Sequence, residues 1–428
     1  MKIRYIGAAA IVAVVAAVAS TVAGSASGGA KAPTKSITVW LQVDAQSGWP
    51  EVVAAANAAF KAKTGVEADI QYQQWGTHLS KFDATLAGGN APDVIEMGNT
   101  EMTKYMAAGA FADITKDKSS FPNSSSWLNG LTQSATYNGK LFGVPYYAGS
   151  RVVIYRKDFF KKAGASTNPA TIDEFVANGK KLMKTYGADK GFSAFYLAGR
   201  DWYSALSYVY DYGGKIATTK GGKWVGALTS PQAIRGLNKV KQVYLALSRA
   251  SKTTDEAHPF PTVPFAQGKA ASFIGPGWQF GYALDPKAGN PKLKPQMAAF
   301  AMPGHVKGQL LPAFLGGSDL AIPNSSSNKE LAKDWIAAFT STAAQTGIVK
   351  AGNIPNTTSL LGLVKGVPGA ALAQSSKRTW FVPTAKNWTN VESQGVLQDM
   401  LSAIYTGDLT VAQAAARASD RITQILNG

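Results

Sequence analysis

The apolar positions change period along the chain in a way that marks out strands and helices. Ile37-Thr38-Val39-Trp40-Leu41-Gln42-Val43 alternates and is rich in β-branched and aromatic residues, which predicts a strand. Pro50 then suits the first position of a helix, Val52, Val53, Ala56 and Phe60 share a face, and Gly65 can close it. Val66, Ala68, Ile70 and Tyr72 alternate with polar residues as a half-buried strand. Leu79, Phe82 and Leu86 mark a second helix that ends at Gly88-Gly89. Val94-Ile95 belongs to a third strand, and Met102, Tyr105 and Met106 to a helix stopped by Gly109.

Strands alternating with helices in this order predict an α/β sheet with right-handed crossovers. Ligands of such sheets bind beyond the carboxyl ends of the strands. The loops of interest are therefore Asp44 to Trp49, Tyr72 to Trp75 and Glu96 to Glu101. Farther on, residues 150–315 form a second mixed region rich in aromatics. Phe314 to Asp319 reads as turn-rich and leads into the strand-like Leu320-Ala321-Ile322, and Asn328 to Thr340 reads as an amphipathic helix. A last helix opens on Thr410 and Gln413 in capping-box spacing, with Val411, Ala415, Ala418, Ile422 and Ile425 on one face.

The 428-residue length suits two lobes, and 46% hydrophobic against 16% charged residues is enough to bury sizeable cores. The first residues have the layout of an export signal: Lys2 and Arg4, an apolar stretch from Ile6 to Val22, then small residues, with cleavage expected after Ala26. A retained segment would instead be an anchor. Residues 27–35 read as a linker. The mature chain is thus expected outside the cytoplasm, either secreted, in a periplasm or at the outer face of the cytoplasmic membrane. There is no cysteine, which excludes disulfides, thiol catalysis and a lipid anchor on an N-terminal cysteine. Net charge is +17, but the basic residues are scattered and not clustered, so nucleic acid is not an expected partner.

No catalytic signature appears. There is no Gly-x-Ser-x-Gly elbow and no phosphate-binding Gly-rich loop, and His78, His258 and His305 lie far apart in the sequence. No catalytic residue, metal ligand or cofactor is assigned. The remaining chemistry is a set of aromatics near Gly, Pro, Asn and Asp: Trp75, Tyr146, Tyr147, Trp202, Trp278, Trp380 and Trp388. Aromatic faces stack on pyranose rings while carboxylates, amides and Arg bond the hydroxyls, so this mixture suits a sugar.

Several landmarks occur together in one order: Trp40-x-x-x-Asp44, Gly89-Asn90-Ala91-Pro92-Asp93-Val94-Ile95, Ile154-Tyr155-Arg156-Lys157-Asp158, Phe265-Ala266-Gln267-Gly268-Lys269-Ala270 leading to Ile274-Gly275-Pro276-Gly277-Trp278, and Asn328 to Lys333. From about Ile37 to Leu426 the chain resembles the extracellular solute-binding proteins of carbohydrate ABC importers, the group that includes maltose-binding protein. The stretches Trp40 to Pro50, Glu96 to Glu101, Val144 to Gly149 and Arg200 to Tyr203 look most like chito-oligosaccharide binders.

That resemblance implies a two-lobed α/β clamp with its ligand cleft at the hinge. Lobe one would be residues 36–149 plus 318–384, and lobe two 150–317 plus 385–428. It further implies a monomer that delivers a small oligosaccharide to the permease subunits of an ABC importer and is not an enzyme. By matching position, Asp44, Asn99, Thr100, Glu101, Tyr147, Arg151, Trp278 and Trp388 are expected at the ligand. Trp75 and Trp202 join them from loop position and composition, and Asp319 is expected as a hinge hydrogen bonder. A secreted glycoside hydrolase or lyase with two facing carboxylates, and a cell-surface sugar adhesin or sensor, are the alternatives.

Overall fold

The computed structural model describes residues 36–428. The expected export signal, residues 1–26, and the linker, residues 27–35, lie outside the described residues.

The first alternating run forms the strand Ser36–Gln42, followed by the short helix Val43–Gly48 and the helix Pro50–Thr64. Gly65 ends that helix in the left-handed conformation, at φ 72°, as its place after the apolar stripe predicts. The strands Glu67–Gln73 and Val94–Gly98 pair parallel to the first or sit beside it, with the helix His78–Gly88 between them in sequence. The stretch from Asp44 to Trp49, expected as a loop, is helical through Gly48. Its small polar residues show no apolar period, but Asp44 sits in the first turn, where a carboxylate favours the helix dipole.

A mixed six-stranded sheet results, in the order Ile354–Pro355, Gly143–Gly149, Gly316–Ala321, Val94–Gly98, Ser36–Gln42, Glu67–Gln73. The strand Gly316–Ala321 begins before the expected strand-like stretch Leu320 to Ile322 and takes in part of the turn expected at Phe314 to Asp319. It lies antiparallel between Val94–Gly98 and Gly143–Gly149, so backbone pairing on both sides holds Gly316 to Asp319, whose side chains carry no strand signal. Gly317 has φ 139°, and a Cβ there would collide with the Tyr147 carbonyl oxygen, so the close approach needs glycine.

Strand Gly143–Gly149 passes through buried Ser150 into Arg151–Arg156, the centre of a second, antiparallel sheet with Ser272–Pro276 and Met297–Phe300. Each sheet has its own core. The first gathers Ile37, Val39, Leu41, Val94, Met97, Trp335 and Phe339. The second gathers Val153, Phe175, Trp202, Val240, Trp380, Trp388, Leu401 and Ile422, mostly from helices. A smaller cluster draws Ala148 and Ile354 from the first sheet and Val152, Ile154 and Phe273 from the second, so it sits where the chain crosses. The fold is therefore a two-lobed α/β clamp. The C-terminal helix Val411–Asn427 opens with the predicted reciprocal cap between Thr410 and Gln413.

Candidate functional site

Because Ser36–Gln42, Glu67–Gln73 and Val94–Gly98 run parallel, their carboxyl ends share one edge of the sheet. Asp44, Trp75 and Gly98 to Glu101 all follow that edge. The Trp75 indole N–H donates to Asp44 Oδ2 at 2.5 Å, while the ring keeps 38% of its surface exposed. His78, fully buried, stands edge-on behind it, with centroids 5.2 Å apart at 88°.

His78 places Nδ1 2.8 Å from the Trp75 carbonyl oxygen and Nε2 2.8 Å from Glu101 Oε2. Both partners accept, so the ring is satisfied when both nitrogens carry protons. Burial pushes the imidazole down, but the hydrogen bond and charge of Glu101 outweigh it, and the net shift is upward. The same Glu101 oxygen accepts the Gly98 N–H at 2.8 Å. A Cβ on Gly98 would lie 3.0 Å from that oxygen and 3.3 Å from the Trp75 ring, so the backbone approaches closely here.

Beneath this edge lie buried acids. Glu96 accepts the Gln42 N–H at 2.8 Å, and burial raises its carboxyl to about 7. Asp319, fully buried in Gly316–Ala321, accepts from Ser134 at 2.7 Å and is raised by burial to about 8. The bond joins two residues expected in the same lobe, so Asp319 does not make the hinge-crossing contact expected of it. Tyr147 packs edge-on against Tyr146 at 4.8 Å and Trp49 at 5.4 Å, its hydroxyl held well above its usual range by burial and by the charges of Glu96 and Asp44. Asn99 is spent internally: its N–H reaches the Gly317 carbonyl at 3.0 Å, and its side-chain amide donates to the Leu315 carbonyl at 2.9 Å.

The facing surface comes from the second lobe. The Arg151 guanidinium lies over the rings of Tyr203, 4.7 Å away, and Phe314, 5.4 Å away. Tyr203 stacks on Trp202 at 4.1 Å and 29°. Its hydroxyl is held well above its usual range, first by burial and then by Glu392 and Glu256. Glu256 itself is raised to about 7 by burial and by the nearby Asp201, which caps the helix Trp202–Asp211. Half-buried Trp278 meets Tyr282 edge-on at 4.8 Å and Phe260 at 5.7 Å. Tyr282, 42% exposed, feels the charge of Asp44 and reaches toward Ser47, so the two lobes approach one another here.

The expected residues divide. Asp44, Trp75, Thr100, Glu101, Tyr147, Arg151 and Trp278 are brought near one another by the contacts above. Two expected stackers do not present a face. Trp202 is 2% exposed and enclosed by Tyr203, Phe314, Trp380 and Trp388. Trp388, 1% exposed, turns its indole N–H to Glu392. Both rings belong to the second core, and each touches a half-buried polar neighbour, Tyr203 beside Trp202 and Glu392 beside Trp388. The residues not anticipated are His78, Tyr203, Glu256, Tyr282 and Glu392. His78 lies three residues after Trp75 and Tyr203 directly follows Trp202, while Glu392 is one helical turn after Trp388, so the helical period was an available signal only for Glu392. A separate cavity of about 360 Å³, between the helices Val396–Thr406 and Val411–Asn427, contains none of these groups.

Residues 40–346 match the family of bacterial extracellular solute-binding proteins. The diacetylchitobiose-binding protein DasA of Streptomyces coelicolor is 32% identical over 378 residues, covering 87% of this chain and 86% of that protein. The maltodextrin-binding protein MdxE of Bacillus subtilis is 23% identical, covering 69% and 68%. Among solved structures, a solute-binding protein of Thermotoga lettingae bound to α-D-tagatose superimposes with a TM-score of 0.76 at 23% identity, covering 92% of this chain and all of that one. The GacH receptor of Streptomyces glaucescens gives 0.76 at 17% identity, covering 92% and 99%. The two-lobed architecture, the shared carboxyl-end edge and the extent of these matches converge, and the chain belongs to the bacterial extracellular solute-binding protein family.

Proposed function

We propose that the protein is the substrate-binding component of an ABC sugar importer. It captures a small oligosaccharide by lobe closure and delivers it to membrane permease subunits. The observation that carries this reading is the pairing of accessible aromatic surface with a carboxylate: Trp75 held by Asp44 on one side, and Trp278 with Tyr282, which feels the Asp44 charge, on the other. A pyranose needs apolar contact for its faces and hydrogen-bonding groups for its rim. The relative that binds diacetylchitobiose favours N-acetylglucosamine oligomers, N,N'-diacetylchitobiose first, as the ligand.

In this reading, lobe one comprises residues 36–149 and 318–384, and lobe two comprises 150–317 and 385–428. Asp44, Trp75, Thr100, Glu101, Tyr147, Arg151 and Trp278 line the ligand, with Tyr203, Tyr282 and Glu392 added to them. Both lobes touch the sugar only when shut, so the ligand shifts the population toward the closed form. The protein acts as an exported monomer, performs no catalysis, needs no metal or cofactor, and does not take nucleic acid as a partner.

The test is a titration of the purified protein with chitobiose, N-acetylglucosamine, cellobiose, maltose, trehalose and xylobiose, followed by tryptophan fluorescence. We expect a saturable change with one sugar, weakened at least about tenfold in Trp278→Ala through loss of the stacking ring, and no product on chromatography. No response to any sugar overturns the carbohydrate reading, and released product overturns the non-catalytic one.

A further inference from the structure

His78 opens the helix His78–Gly88 and is fully buried behind the first-lobe wall of the proposed ligand site. Its Nδ1 lies 2.8 Å from the Trp75 backbone carbonyl oxygen, and its Nε2 lies 2.8 Å from Glu101 Oε2. The carbonyl oxygen can only accept. The Glu101 oxygen also accepts the Gly98 N–H at 2.8 Å, which suits an ionised carboxylate. A neutral imidazole carries one N–H and one bare nitrogen. In either tautomer one of the two contacts would set that bare nitrogen against an acceptor, with the ring closed off from solvent. The two contacts together call for the imidazolium.

We propose that the His78 imidazolium is a positioning residue for sugar capture: it fixes the Trp75 turn and the Glu101 carboxylate in the arrangement that receives the ligand, and so links binding to a proton. The inference rests on the sugar reading of this wall. His78 does not meet the sugar itself, because the Trp75 ring stands edge-on against it, centroids 5.2 Å apart at 88°. Each side chain it supports has one other hydrogen bond: the Trp75 indole N–H on Asp44 Oδ2 at 2.5 Å, and the Gly98 N–H on Glu101 Oε2. Loss of the Nε2 proton leaves the Glu101 carboxylate facing a lone pair. Loss of the Nδ1 proton does the same to the Trp75 carbonyl.

The charged and titratable groups around His78 are few. Glu101 and Glu96, the latter from the strand Val94–Gly98, both act on the ring and both favour its charged form; the net shift is upward, in the direction that the contacts require. On its own helix, Lys81 donates to Gln73 of the strand Glu67–Gln73. Asp83 of the same helix is taken by Lys104 and by the Tyr105 hydroxyl of the helix Met102–Ala107. Asp44 is bound by the Trp75 indole. From the second lobe, Glu392 acts on Glu101 and accepts from Thr100. A sugar packed on Trp75 and Glu101 selects the arrangement that the imidazolium holds, so it binds the protonated form more tightly and raises the proton affinity of His78 in return. Affinity is therefore full below the raised value and declines as pH climbs through it.

One arm of the test uses no sugar. In protein labelled with 15N at histidine, the His78 ring signals, assigned by their loss in His78→Gln, should show both nitrogens protonated at about pH 7.5, where an ordinary histidine is mostly neutral. In the second arm the chitobiose Kd of wild type should rise about tenfold or more as the ring signals pass from charged to neutral. His78→Gln, whose single amide cannot donate to both acceptors, should bind weakly and lack that rise. Trp278→Ala should bind weakly and keep it, which separates a lost contact from a lost proton link. If no sugar binds, the ligand reading fails, and positioning is read from the fluorescence of Trp75, taken as the difference between wild type and Trp75→Phe. That difference should change with pH in step with the ring signals. A His78 ring that is neutral at about pH 7.5, a wild-type Kd or Trp75 signal that ignores the ring's titration, or a His78→Gln protein that keeps the rise, overturns the proposal.

Discussion

The ion pair behind Trp75 supplies a quantitative prediction. His78 is fully buried, and its two nitrogens each have one acceptor at 2.8 Å, the Trp75 carbonyl and Glu101 Oε2. A hydrogen bond to a charged group contributes about 1.5–3 kcal/mol net, and removing one partner leaves the other desolvated. His78→Gln and Glu101→Gln should therefore each destabilise the fold, and the double variant by less than their sum. The coupling energy, from urea unfolding of all four proteins, should fall at about 1–3 kcal/mol. The raised His78 value adds a pH signature. A group whose folded value exceeds its unfolded one contributes stability that is fully present below the unfolded value, about 6.5 for histidine, and is lost as pH rises through the folded value. The coupling should therefore be larger at about pH 6 than well above the folded value. The raised carboxyls of Glu96, Asp319 and Glu392 also lower stability with rising pH. The informative quantity is thus the difference between wild type and His78→Gln, not the wild-type slope. Single-variant effects that add to within about 0.5 kcal/mol, or a coupling that does not change with pH, would refute the reasoning.

Two further outcomes follow from buried geometry in the first lobe. Asp319 is raised to about 8 in the fold and titrates near 4 in the unfolded chain, so wild type should lose about 1.4 kcal/mol of stability per pH unit between those values on its account. Asp319→Asn should remove that component, seen as a flatter dependence of the urea midpoint on pH from about 5 to 8; an unchanged slope would contradict it. Gly317→Ala should cost about 1–3 kcal/mol or more, because its φ of 139° and the clash with the Tyr147 carbonyl leave no room for a methyl group. Calorimetry would show a lowered Tm, and sugar affinity should fall as well, since the methyl group would push on the neighbouring strand Gly143–Gly149, which carries Tyr147. A variant as stable as wild type would show that this approach is not constrained.

Much of the first lobe was legible because its elements obey local rules. Alternation marked Ser36–Gln42 and Glu67–Gln73, and glycines with positive φ at 65 and 89 closed the helices where the apolar stripes ended. The reciprocal cap at Thr410 was written in four residues. Of the strand Gly316–Ala321 only Leu320-Ala321 was legible, because what makes Gly316 to Asp319 a strand is pairing with partners more than 150 residues earlier. Two glycines, a serine and an aspartate carry no period, and nothing local distinguishes a turn from a strand clamped on both sides.

The site was legible in its residue types more than in its orientations. Asp44, Trp75, Glu101 and Trp278 stand where strand ends and a glycine-rich turn suggested. Trp202 and Trp388 show where composition fails. Each lies beside Gly, Asn or Asp in sequence, yet each ring is enclosed in the second core. The reason is division of labour within one turn of helix. Trp202 supplies the rigid surface on which Tyr203 stacks, and Trp388 supplies the N–H that holds Glu392. A half-buried polar group at a cleft keeps its direction only if something large and immobile stands behind it, so a buried tryptophan in a short helix near the cleft marks the neighbour it supports. By the same logic His78, invisible as a ligand contact, fixes both the exposed ring of Trp75 and the carboxylate of Glu101. In each case the residue at the proposed ligand surface and its support lie within four residues of one another, so aromatic content alone cannot separate them.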